Sequence, residues 1–463
     1  MKQKLLSISL MIASSATLAM SEQAFIDRLT KVHPFFQQLD NTQLISSIDR
    51  QATTANQDWV LSATSSYKDE DYGDVSSVTT YSDLDTASVD LSAKKQLVDS
   101  GASLTLAHTW KEKSKASTAS VNTHRNKFSI DYSYPLLKDA GGINDRLNTD
   151  LADLDVKISQ LDTLESRENF VLKYWKKFVE LAYLEAQSEI NQDRVSLAQK
   201  ELKLVEDKFQ ASVVDKVDLL NQKDAYQRAK TQALQAEQEL ALLQYELALV
   251  LKLSLKDIQT DFNLYQSFQP AESDLETYLS QHARAIRIAD LKRDKLQRQL
   301  SSQKNQSLAD LDLNLGLSSE GENADYDHSL ENQGASYSLG LTLSYPLGAT
   351  ASNSAVQKTQ VQMNNAEQTR LETLLELHTS AKVNLEKIRL LAEMLDLSKA
   401  QMLIAKDRAT EEQKRYADGN SQASVVISAQ DNAMSARISY AKSAKNYQQA
   451  VLDYQASIDT LIQ

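Results

Sequence analysis

Two stretches of this chain contain almost nothing that could stop a helix. No Gly or Pro lies between Ile143 and Gln269, and from Ala349 to the C-terminus the only one is Gly419. Stretches so free of breakers, and rich in Ala, Leu, Gln, Glu, Lys and Asp, form long helices. One is expected from about Asn144 to Gln210 and another from about Ser354 to Asp418. At a rise of about 1.5 Å per residue each would be on the order of 100 Å long, far beyond the usual globular helix. Each meets a short interruption and a second helix, which gives two long hairpins, about 144–253 and 354–461.

Nearly all the glycines sit instead between Gly73 and Gly142 or between Gly316 and Gly348, and there the pattern has period two. Leu311, Leu313, Leu315 and Leu317 alternate with Asp310, Asp312, Asn314 and Gly316; Tyr337, Leu339, Leu341, Leu343 and Tyr345 alternate with Ser338, Gly340, Thr342 and Ser344. The first zone has similar segments around Trp59 to Lys68, Ala87 to Leu97, Ala102 to Lys111 and Lys127 to Tyr134. One face suits lipid and the other water. An ordinary antiparallel sheet with one buried face alternates in the same way. These strands, however, have no long apolar helix nearby to cover them, so they need lipid or another sheet.

The two zones and their helices share one layout. Tyr132-Ser133-Tyr134-Pro135-Leu136 matches Leu343-Ser344-Tyr345-Pro346-Leu347 at an offset of 211 residues, and the helix interruptions at Phe209 to Leu220 and Tyr416 to Ile427 match at 207. The returning helices agree as well. Ala229, Ala236, Leu243 and Val250, with Ala233, Leu240 and Leu247, form a heptad seam that coincides with Ala436, Ser443, Ala450 and Ser457, with Tyr440, Tyr447 and Tyr454. An internal duplication of about 210 residues accounts for both. The expected domains are a first repeat over 20–255, with an N-terminal helix ahead of its strands, and a second over 256–463, with a helix at about 273–306.

Residues 1–19 have the lysines, short apolar run and small residues of a signal peptide, with cleavage after Ala19. No apolar run reaches the ~20 residues of a membrane-spanning helix. A mature chain integral to a membrane would therefore span it as a closed barrel. The chain has no Cys, so neither disulfides nor a lipid on an N-terminal Cys can serve it. With 63 acidic against 50 basic residues and a net charge of −13, nothing favours nucleic-acid binding.

Catalytic chemistry is missing too. The six histidines, His33, His108, His124, His282, His328 and His378, are scattered, and no His-Glu-x-x-His or Gly-x-Ser-x-Gly occurs. Asp310 and Asp312 read as a solvated strand face rather than a catalytic pair. The chain is expected to be no enzyme and to use no metal or other cofactor.

Taken in order, these segments resemble the TolC-like outer-membrane efflux proteins over the whole mature chain. Most specific are Arg415-Tyr416-Ala417-Asp418-Gly419 and Val426-Ile427-Ser428-Ala429-Gln430, similar to the family's Arg-Tyr-x-x-Gly…Val-Leu-x-Ala-Gln pattern. Lys173-Tyr174-Trp175 with Leu181-Ala182 resembles a stretch of the first long helix in one branch. The resemblance implies a mainly α chain with β: a homotrimer whose strands close a transmembrane antiparallel β-barrel in the outer membrane and whose long antiparallel helices continue it as an α-helical barrel in the periplasm. It also implies two structural repeats, contact with outer-membrane lipid, and docking on a periplasmic adaptor that couples to an inner-membrane transporter. The function implied is an exit duct for small-molecule efflux, type I protein secretion or both.

Carried over residue by residue, the resemblance makes Tyr416 and Gly419 adaptor contacts, with Phe209 and Ser212 at the matching places of the first tip, where the family usually has Tyr and Gly. Val425 and Ser428 stand where some relatives carry pore-narrowing aspartates, so an acidic ring at the pore entrance would come from Asp218, with Asp215 as second candidate. The plainer reading is that both acids help start the returning helix. Four barrel strands per chain are expected, with the hairpin around Val98 to Gly101 set apart; six is the other count. A periplasmic coiled-coil adaptor or structural protein is the competing class, although adaptors generally carry one hairpin rather than two preceded by strands.

Overall fold

A computed structural model describes residues 19–72, 83–116, 122–270, 274–331, 333–345 and 347–462. The expected signal peptide, Ala19 apart, and Pro346 of the second strand exit lie outside the described residues. The chain divides into two compact units, each drawing on both halves of the sequence: a helical unit of residues up to Asn41, Asp162–Ile286 and Glu372–Gln463, and a sheet unit of Thr42–Leu161 and Arg287–Leu371.

Four long helices run through or within the helical unit: α3 (Leu147–Gln210), α4 (Lys216–Leu251), α8 (Thr350–Ala417) and α9 (Ala423–Ser457). The seam expected from the heptads points inward, with Ala229, Ala236 and Leu247 of α4 and Ala436, Tyr447, Ala450 and Tyr454 of α9 all buried. Shorter helices complete the unit. The N-terminal segment forms α1 (Glu22–Val32) and α2 (Pro34–Ala52), parted at His33, which is extended because it precedes Pro34. Phe25 of α1 stacks on Phe178 of α3 with ring centroids 4.6 Å apart.

The helix expected over 273–306 is two, α5 (Leu275–His282) and α6 (Arg284–Gln306). No Gly or Pro marks the break. Instead Asp459, at the end of α9, accepts the backbone N–H of Arg284 at 2.6 Å, so a residue distant in sequence caps the restart. The Arg284 guanidinium returns to Asp459 at 3.1 Å and also meets Glu165 at 3.1 Å and Glu168 at 2.9 Å. Burial pushes the carboxyls of Glu168 and Asp459 above the usual carboxylate range, and Arg284 pulls them back.

In the sheet unit, β1 (Val60–Asp71), β2 (Asp83–Leu97), β3 (Ala102–Ala116), β4 (Thr123–Pro135), β5 (Asp310–Asn323) and β6 (Gly334–Ser344) form one antiparallel sheet in sequence order. The expectation of four strands with a hairpin set apart is overturned, because β2 and β3 are paired along their length with β1 and β4. They carry the same two-residue alternation as their neighbours, so leaving them out would break both faces.

Their turn is also fixed from below. Gln96 Nε2 donates to the Gly101 carbonyl at 3.1 Å and to Asp145 at 2.7 Å, and Arg146 Nη1 donates to the carbonyls of Asp99 at 3.1 Å and Gly141 at 2.7 Å. At the far end of the sheet α7 (Tyr326–Glu331) caps β4, with Asn126 Nδ2 donating to Ser329 Oγ at 2.8 Å.

Candidate channel wall and helical tips

The register gives the sheet two faces of opposite character. Leu61, Ala93, Leu106, Ile130, Leu317 and Tyr337 stand in one cross-strand row, and the next row, Ser62, Ser92, Ala107, Ser129, Ser318 and Ser336, points the other way. The apolar face is bare within its unit: Leu61 is 79 % exposed, Leu339 75 % and Tyr337 83 %. An apolar sheet face in water is a strong liability, and so are two edge strands, β1 and β6, that carry no Pro and no break in pairing.

The apolar set does not run parallel to the register. Tyr67, its last member on β1, aligns through Ala87 with Glu112, His124 and Asn323. Yet the apolar set stops at Trp110 on β3, Phe128 on β4 and Leu317 on β5, progressively further from the α7 end of the sheet. The drift to β5 is roughly 20 Å along the strands over four spacings of about 4.8 Å, a slant of about 45°. Strands tilted by that angle through a slab would present a level apolar band, and transmembrane barrel strands tilt by about this much. Trp110 and Tyr67 mark one margin; Tyr132, stacked on Tyr134 at 6.5 Å, marks the other.

The helical tips share one hydrogen-bond pattern. After α3 the N–H of Val213 donates to the Lys208 carbonyl at 2.9 Å, and after α8 the N–H of Asn420 donates to the Arg415 carbonyl at 2.8 Å, 207 residues on in both donor and acceptor. Ser212 and Gly419 close these turns with φ of 58° and 77°. Ser212 thus takes the left-handed conformation without being glycine, and a Cβ on Gly419 would touch nothing. Ser212→Gly is expected to stabilise the unit by roughly 0.5–1 kcal/mol and Gly419→Ala to destabilise it by about 1 kcal/mol. Thermal unfolding of the two variants checks this, and a neutral Gly419→Ala would mean that the turn can relax away from left-handed geometry.

Of the two acids expected at a pore entrance, Asp215 is engaged as a helix cap, accepting the N–H groups of Val217 at 2.9 Å and Asp218 at 3.0 Å. Asp218 is half-buried beside Tyr416, whose hydroxyl is held above its usual value by burial first and by this carboxylate second. Lys208 Nζ lies 4.3 Å from the Tyr416 ring centroid. Tyr416 also lines a cavity of about 120 Å³ with Glu201 and Gln222, so it joins both tips. Phe209, Ser212 and Gly419 are exposed.

Sequence reasoning missed a buried network behind the tips. Arg194, only 4 % exposed, meets Asp431 at 2.9 Å and Glu201 at 3.6 Å. Gln222 donates to Glu201 at 3.2 Å and Gln430 donates to its other oxygen. Burial raises the Glu201 carboxyl. The one signal was Gln430, which ends the second tip motif. Among the described residues, no three His, Asp or Glu side chains are grouped to hold a metal ion, and no helix is long and apolar enough to cross a membrane.

An uncovered antiparallel sheet with one apolar face, joined in sequence to two long helical hairpins, is the architecture of the TolC-family outer-membrane channels, and the chain has that fold. It is similar to the outer-membrane protein VceC of Vibrio cholerae (TM-score 0.64, 12 % identity, covering 94 % of this chain and 95 % of that one). The CmeC outer-membrane channel of Campylobacter jejuni gives a TM-score of 0.63 at 14 % identity over 95 % of this chain and 86 % of that one. The MtrE outer-membrane channel of Neisseria gonorrhoeae gives 0.61 at 14 % identity over 95 % and 89 %. No protein-family model and no curated protein matches the sequence.

Proposed function

We propose that the chain is one subunit of a homotrimeric outer-membrane exit duct that performs no catalysis. The observation that carries this reading is the slanted, uncovered apolar band, which has the tilt and the exposure of a lipid-facing barrel wall. Six strands are an even number, so β6 of one copy meets β1 of the next antiparallel, and the two bare edges are used up on closure. Three copies give eighteen strands around an aqueous lumen lined by the polar face. The fold likeness to outer-membrane channels supports the location, with the long helices reaching into the periplasm. The matching tip geometry supports two repeats, 20–255 and 256–463.

At the tips Phe209, Ser212, Tyr416 and Gly419 are offered to a periplasmic adaptor coupled to an inner-membrane transporter, and the cargo is small molecules, secreted protein or both. Outer membranes extracted in mild detergent should yield a species of three chain masses; a monomer, or a protein found in the periplasmic fraction, would overturn the reading. Within the duct Asp218 occurs once per copy near the entrance, where a ring of carboxylates favours cations. Asp218→Ala should weaken both cation selectivity and block by a trivalent cation added at the tip side of a planar bilayer. Unchanged selectivity and block would leave Asp218 with its helix-starting role alone.

A further inference from the structure

The polar face of the sheet is electrically divided along the strands. Beyond the row of small residues that runs from Ser62 to Ser336, toward the α7 end of the sheet and away from the Val98–Gly101 turn, it carries Lys68, Lys111, Lys113, Lys115, Arg125 and Lys127. The acids on the same part are Glu70, Asp90, Glu320 and Glu322. On the other side of that row the balance reverses, with Lys94 against Asp131, Asp310 and Asp312. Lys111 and Asp131 are separated by about 20 Å along the strands, more than twice the screening length of about 8 Å in physiological salt. The two ends therefore act on a passing ion separately.

The basic excess comes from β2 and β3. On the other four strands the outer charges balance, and two acids there are already engaged, Glu70 by Lys68 and Glu320 by Arg125. The hairpin adds Lys111, Lys113 and Lys115 to this face and one acid, Asp90, to which Thr109 donates a hydrogen bond at 2.6 Å. Lys111 stands directly opposite Arg125. Like charges in that position destabilise a sheet, and a bound anion would relieve them. Neither Lys111, Lys113 nor Lys127 forms an ion pair among the described residues.

We infer that the β2–β3 hairpin builds an anion-binding collar in the outer half of the lumen, suited to multivalent carboxylates or phosphates. The inference rests on the duct reading, which turns the polar face toward the lumen and the α7 end of the sheet outward. Repeated in every copy, the collar concentrates polyanions at the outer mouth, as rings of Lys and Arg do in anion pores.

Citrate is a sufficient probe. With the full-length protein in a planar bilayer at low salt, citrate added on the side of α7, opposite the helical tips, should reduce conductance at about a tenfold lower concentration than citrate on the tip side. The difference should vanish at about 1 M salt, where screening falls to about 3 Å. The double variant Lys111→Gln/Lys113→Gln should form channels of ordinary size but need about tenfold more citrate from the α7 side, while Lys94→Gln should keep the parental response. Channels that form normally yet respond equally from both sides, or identically in the double variant, would overturn the collar and leave the duct standing. Failure of the parent chain to form channels would overturn the duct, and the collar with it.

Discussion

Arg284→Met should be among the most damaging single substitutions in the helical unit, lowering its stability by about 3–5 kcal/mol at pH 7. The guanidinium is only 9 % exposed and is the shared partner of Glu165, Glu168 and Asp459, with Glu168 itself 3 % exposed. Methionine fills similar space but leaves buried carboxylates facing one another. The defect should depend on pH in a defined direction. Burial already raises the carboxyls of Glu168 and Asp459, and without the cation they rise further. An acid whose folded value is raised favours the fold below that value and loses the contribution as pH climbs through it. The variant should therefore recover part of its stability between pH 7 and pH 5. Thermal unfolding at both values checks this; a loss of equal size at each would show that packing around Arg284, rather than its charge, is what matters.

Gly142→Ala should have an effect of similar size on the sheet unit. Its φ is +65°, and a Cβ there would lie 1.6 Å from the carbonyl oxygen of Val98, which is backbone and cannot step aside. Displacing the turn between β2 and β3 disturbs the centre of the sheet, so a loss of more than about 3 kcal/mol is expected. Neighbouring Gly141 provides the comparison. It has φ of +72°, and its Cβ would touch nothing, so Gly141→Ala should cost only about 1 kcal/mol. Protease sensitivity of the 98–101 turn and survival of the assembled form in detergent would separate the two. If both variants behaved alike, the close approach of the two backbones would not be what anchors the hairpin.

The features legible in the sequence are those written in local pattern. Absence of Gly and Pro predicts the long helices, heptad spacing predicts which side of α4 and α9 is buried, and alternation predicts both faces of the sheet. Strand number was harder to read, because a hairpin set apart and a hairpin inside the sheet alternate alike. What distinguishes them is the pairing of β2 with β1 and of β3 with β4, together with the close approach of Gly142 to the backbone of Val98. The break between α5 and α6 and the Arg284 cluster depend on Asp459, which lies 175 residues from Arg284 in the chain. No window of local pattern spans that distance. At the tips, Asp215 could be read as a helix cap from its place before an apolar run, whereas the tie between Asp218 and Tyr416 exists only once the hairpins are packed.

The insertion of β2 and β3 as an up-and-down pair has a consequence for how such a wall changes over generations. A pair of strands returns the chain to the end from which it set out, so β4 leaves toward the same helices that β1 alone would have had to reach by another route. The perimeter can then be lengthened or shortened by one hairpin per subunit without reversing the direction of anything downstream. A single strand could not be added that way. In the proposed ring, bore would evolve in discrete increments of two strands for every copy, and each increment would bring its own polar face, and hence its own charge, into the conduit.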